Sequence, residues 1–115
     1  MSKVVKIELS NKIGMRVTLI NFGARITSVK YPVIDTLKEM LVSYNSIGEF
    51  ETDEFYLGAT CGRVSNRIKD GRFTIANTEY LLPKNNGEHC LHGGIENASL
   101  QYWQVEPVEQ ENQAK

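Results

Sequence analysis

The chain has 115 residues, 41% of them hydrophobic and 23% charged, with a formal net charge of −1. That length suits one domain with one modest core, burying roughly two-thirds of the unfolded surface. The charge balance lacks the basic excess that phosphate neutralisation needs, so nucleic acid is not an expected partner. No apolar run approaches the ~18 residues of a membrane span, and the opening MSKVVKIELS lacks a signal-peptide pattern, so a soluble cytoplasmic protein is expected.

Along the chain apolar residues recur with a period of two. Val5, Ile7 and Leu9 alternate with Lys6 and Glu8, which predicts a half-buried strand. Residues 15–22, MRVTLINF, are rich in β-branched and aromatic types and stop at Gly23. Ile26 to Tyr31 reads as a third strand ended by Pro32, and residues 40–44 and 55–61 as two more. IDTLKEML has some helical spacing but is short and closely follows a proline, so helix is expected to be scarce. In GRFTIANTEYLLP, Phe73 and Ile75 lie on the face of Tyr80 and Leu82 across a short turn in which Asn77 can take the positive φ a tight hairpin needs. Residues 100–108 alternate again, and a polar tail follows at about 109–115. Eight or so short strands separated by turn residues predict an all-β, antiparallel sandwich, one domain over 1–115.

The two cysteines, Cys61 and Cys90, are expected as free thiols, with one disulfide as the alternative. His89, Cys90 and His92 lie close in sequence, but a structural zinc site draws four ligands, usually from two separated pairs, and no second pair exists. No metal or cofactor is expected.

Three polar clusters stand out. NFGARITSV holds Arg25, read as the structural partner of an acid. In GRVSNRIKDGRF the charges of Arg63, Lys69 and Arg72 read as a solvated edge. Asn66 and Arg67 can instead join a donor–acceptor amide to a donor fork, which suits vicinal hydroxyls. NNGEHCLHGG places His92 after a tight turn at Asn86-Gly87 and before Gly93-Gly94, whose backbone can approach a ligand or take positive φ. The competing reading of His92 is a core histidine bonded to a carbonyl.

These stretches in register, NFGARI at 21–26, GRVSNRIKDGRF at 62–73 and NNGEHCLHGG at 85–94, with Trp103 after them, resemble the amino-terminal part of the aldose 1-epimerases, or galactose mutarotases. The resemblance runs from about residue 17 to Trp103. It implies the first part of a large antiparallel β-sandwich, the galactose mutarotase-like supersandwich, with an aldohexose such as galactose or glucose in its cleft. By position Asn66 and Arg67 resemble the substrate-binding pair, and His92 resembles the first active-site histidine, both catalytic and substrate-binding.

Mutarotation needs a base at the anomeric hydroxyl and an acid at the ring oxygen, and histidine suits acid work near neutral pH. The family's second histidine and its glutamate base have no counterpart here, and His89 has no role to transfer. IENASL departs from the family pattern at Asn97 and Ala98, and Pro32-Val33 replaces its usual Pro-Asp turn. Three readings follow: an enzyme completed by another copy or chain, a non-catalytic sugar-binding or remnant module, and a piece of a longer product. The second and third fit the isolated chain better, since acid and base must both be positioned. Strand edges and apolar faces left uncovered by missing strands predict a homodimer or higher oligomer.

Overall fold

The computed structural model describes residues 3–106. Four strands, β1 (Lys6–Ser10), β2 (Arg16–Ile20), β3 (Arg25–Val33) and β4 (Thr36–Glu39), form an antiparallel sheet in chain order. A short helix, α1 (Ile47–Glu51), follows. Two antiparallel ribbons complete the secondary structure: β5 (Arg67–Ile68) pairs with β8 (Cys90–Leu91), and β6 (Arg72–Ile75) with β7 (Thr78–Leu81). The expected antiparallel, strand-dominated class is therefore observed, with eight strands and five residues of α-helix among the described residues.

The expected 72–82 hairpin forms, with Ile75 opposite Thr78 and Leu82 just past the strand end. Phe73 pairs with Tyr80, their rings stacked 5.2 Å apart, and the turn residues Ala76 and Asn77 both take positive φ, as a two-residue hairpin turn requires. Gly23 ends the second strand's stretch for a steric reason as well as a conformational one. Its φ is +69°, and a Cβ there would lie 2.3 Å from the Ser99 carbonyl oxygen.

Four expectations are corrected. Pro32 does not end the third strand, which continues to Val33. Beyond Lys30 only β4 lies beside it, so one edge needs no N–H donor there. Residues 40–44 are not a strand: pairing with the third strand ends at the Met40 N–H bond to the Val29 carbonyl, and the Glu39 carboxylate takes the N–H groups of Leu41 and Val29. Residues 55–61 are not a strand either, because Asp53 accepts the N–H groups of Phe55 and Leu57 and winds the chain into turns. Residues 100–106 contribute a single bridge, Tyr102 to Phe22, rather than a strand. Positions 107 and 108 and the polar tail lie outside the described residues.

The core is small. Ile20, Phe22 and Phe50 are buried, with Val4, Tyr44 and Leu57 packed against them. Arg25 lies among them with no exposed surface, its side chain paired to the equally buried Asp53 at 2.5 Å. Burial alone would raise the Asp53 carboxyl. Hydrogen bonds from Arg25, Tyr44 and the Phe55 backbone outweigh it and hold the group below the usual carboxylate range. The Arg25 guanidinium also lies over the rings of Phe22 and Phe50, at 5.5 and 5.9 Å. Arg25 thus has the structural, acid-paired role expected of it.

The apolar pattern of β1 is only partly used. Ile7 is half-buried, but Val5 and Leu9 are about half exposed, at 50% and 55%. Ile34, Val42, Phe55 and Leu81 are exposed further still.

Candidate functional site

The site is built where the β5–β8 ribbon ends. Arg67 pairs with Leu91 across the ribbon, so Asn66 and His92 flank that pair on adjoining ends. Both then turn into left-handed backbone, Asn66 at φ 67° and His92 at φ 52°, and exchange two hydrogen bonds. His92 N–H donates to the Asn66 carbonyl at 3.1 Å, and Asn66 N–H donates to His92 Nδ1 at 3.0 Å. Gly93 and Gly94, at φ +94° and +92°, carry the chain away. Their smallness serves backbone packing: a Cβ on Gly93 would lie 2.7 Å from the Gly62 carbonyl oxygen.

The second bond defines the chemistry of His92. A nitrogen that accepts an N–H carries no proton, so the neutral ring holds its proton on Nε2. His92 is therefore not the carbonyl-bonded core histidine of the competing reading; its Nδ1 accepts, and its half-buried ring keeps Nε2–H as a donor.

Similar accounting applies to its neighbours. The Asn66 Oδ1 accepts the Arg67 N–H at 2.9 Å, which leaves Nδ2 as the amide's remaining group. Arg67 donates through Nε to Asn86 Oδ1 at 2.8 Å, which anchors the guanidinium and leaves its two terminal nitrogens. Among the described residues no protein atom accepts from Asn66 Nδ2, the terminal nitrogens of Arg67 or His92 Nε2. Of the acceptors nearby, His92 Nδ1 has its one lone pair occupied, and Asn66 Oδ1 and Asn86 Oδ1 each take one N–H already. The predicted residues thus share one connected cluster with several unpartnered N–H donors.

Asn86 belongs to the cluster and Tyr56 packs against it, and neither was expected there. The Tyr56 ring meets the His92 ring edge-on, centroids 4.7 Å apart. His89 does not join: its Nδ1 accepts the N–H of Asp70 at 3.2 Å and braces the turn at Asp70-Gly71. Asn97 is 2% exposed and ties Gly94 O to Ser99 N–H through its amide, so it supports the loop behind His92. Cys61 and Cys90 are free, and no cluster of metal-ligating side chains occurs among the described residues. A groove of about 750 Å³ lies near, lined chiefly by apolar groups that include Val64, Ile68, Phe73, Leu82 and Trp103. Asn66, Arg67 and His92 do not line it.

Comparison with known proteins places the chain in a family. The aldose 1-epimerase sequence profile matches residues 5–115. The chain is 39% identical over 100 residues to the aldose 1-epimerase of Haemophilus influenzae, covering 87% of this chain and 29% of that protein. It is 33% identical over 110 residues to that of Lactobacillus helveticus, covering 96% of this chain and 81% of that one. Among solved structures, an aldose epimerase homologue from C. elegans superposes with a TM-score of 0.84 at 34% identity, over 92% of this chain and 33% of its own. The chain belongs to the aldose 1-epimerase family. It spans under a third of the length of the Haemophilus relative. No described helix is long and apolar enough to cross a membrane.

Proposed function

We propose that the chain binds an aldohexose, such as galactose or glucose, through Asn66, Arg67 and His92. The observation that carries this reading is the set of unpartnered donors on one connected cluster. Sugar ring and hydroxyl oxygens offer lone pairs, and an anchored guanidinium, an amide N–H and an imidazole N–H can meet several at once. His92 Nε2–H would be the group that meets the ring oxygen, the position where mutarotation needs a proton. Anomeric deprotonation needs a base, and the imidazole lone pair of the cluster, on His92 Nδ1, is occupied, while the amide oxygens and the adjoining Tyr56 hydroxyl are weak bases. By itself, therefore, the chain should catalyse the interconversion of anomers weakly, and its contribution is the binding half of the reaction. Titration with galactose followed by the side-chain N–H signals of Arg67 and Asn66 tests the reading. Saturable shifts at both are expected; unmoved signals at high sugar concentration would remove its basis.

The uncovered apolar side chains favour a homodimer or higher oligomer as the solution form. β1 and β4 each have one edge without a strand beside it among the described residues. A second copy related by a two-fold axis would pair such edges and cover Leu9 and Leu37. A monomer mass by light scattering at high concentration would contradict this. The two free thiols suit a reducing compartment, and the cytosol is the location we favour.

A further inference from the structure

Tyr56 carries a left-handed backbone, φ 59°, which a bulky side chain adopts only where its surroundings impose it. The surroundings do so from both sides. The Asp53 carboxylate accepts the N–H of Phe55 at 3.0 Å and of Leu57 at 3.1 Å, bracketing Tyr56. Arg25 donates to the Leu57 carbonyl at 3.1 Å, which ties the loop to the buried ion pair. Just beyond, Ile26 N–H donates to the Gly58 carbonyl at 3.0 Å. Gly58 itself has φ +63°, and a Cβ there would come within 2.0 Å of the Ile26 carbonyl oxygen, so the loop is pressed onto β3. The product of this fixation is a ring held against His92 at 4.7 Å and 62°.

We propose that Tyr56 is the positioning residue for His92. Its ring blocks rotation of the imidazole and so preserves the one orientation in which Nδ1 accepts from Asn66 and Nε2–H stays free. The buried Arg25–Asp53 pair acts on the site through this ring. The consequence for sugar rests on the proposed function; the geometry of the imidazole does not.

The test is made first on the sugar-free 115-residue chain at pH 8, by long-range proton–nitrogen correlation of His92 and by exchange of the Asn66 amide. Wild type and Tyr56→Phe should show one Nε2–H tautomer and a slowly exchanging Asn66 amide. Tyr56→Gly removes the ring while relaxing the left-handed backbone. It should give mixed tautomers and exchange at Asn66 faster by about tenfold, the scale of one lost hydrogen bond, with the β2 and β3 amides unchanged. A single tautomer with slow Asn66 exchange in Tyr56→Gly overturns the proposal, and so does loss of the tautomer in Tyr56→Phe, since the ring alone should suffice. Should Tyr56→Gly disturb the sheet, the wild type still decides. Proton–proton contacts between the Tyr56 and His92 rings are required, and their absence overturns the inference. Galactose affinity, measured separately, should fall in Tyr56→Gly by about tenfold and be kept in Tyr56→Phe. Failure of wild type to bind galactose defeats the sugar reading while leaving the sugar-free results to judge Tyr56.

Discussion

The surroundings of Arg25 and the surroundings of Arg67 use the same side chain for opposite ends. Arg25 has no exposed surface, and its terminal nitrogens are spent on Asp53, Leu57 O and Ser99 O while Nε is buried without a hydrogen-bond partner. Arg67 is exposed, spends only Nε on Asn86 and keeps its terminal nitrogens. A closed network fixes shape, because every buried charge is answered. An open one keeps donors for something else, because the protein fixes their geometry and leaves their N–H groups unpartnered. Family resemblance touches both regions alike, and hydrogen-bond accounting is what separates them.

That contrast breaks first at Arg25. Replacing it by Met strands the buried Asp53 charge, and a loss of about 3–5 kcal/mol in urea unfolding is expected. A loss below about 1 kcal/mol, the scale of an exposed ion pair, would mean the network is not closed. The pH dependence sharpens the same point. The Asp53 carboxyl in the fold lies below its unfolded value of about 3.9, so its contribution is full above pH ~4 and fades as pH falls through the folded value. Asp53→Asn should flatten the stability profile in that acid window, measured by urea midpoints from pH 2 to 6. Asn97→Ala, on the supporting loop, should cost about 1–2 kcal/mol by leaving Gly94 O and Ser99 N–H without their partner. Arg67→Met should change stability by less than about 0.5 kcal/mol while galactose affinity falls about tenfold. A large stability loss there would place Arg67 with Arg25 on the structural side.

Much of the frame was legible because it rests on local chemistry. The alternation in β1, the β-branched run of β2 and the Ala76-Asn77 turn each fix their element nearly alone. The failures are cases where a side chain took backbone groups away from a ladder. Glu39 did so at Val29 and Leu41 and Asp53 at Phe55 and Leu57, and neither carboxylate's target can be read from spacing. The helix Ile47–Glu51 was missed although Ser46 and Glu49 form a capping box, a signal present in the letters SIGE. At the site, Asn66, Arg67 and His92 could be named from sequence through resemblance. Which of their atoms remain free could not, because that depends on reciprocal bonds between segments far apart. Tyr56 gave no signal, since nothing in its neighbours announces positive φ in a non-glycine residue.

The central claim, a cluster that binds sugar through donors and lacks a free base, is tested most directly by polarimetry beside the binding titration. Starting from pure α-galactose, the 115-residue chain at saturating sugar should relax the rotation barely faster than buffer, since one positioned acid–base group contributes on the order of 10²–10⁴-fold at best and His92 lacks its complement. Saturable binding with a near-buffer rate is the predicted result. Rapid mutarotation abolished by His92→Ala would contradict it, and would show that an acceptor at this site acts as the base.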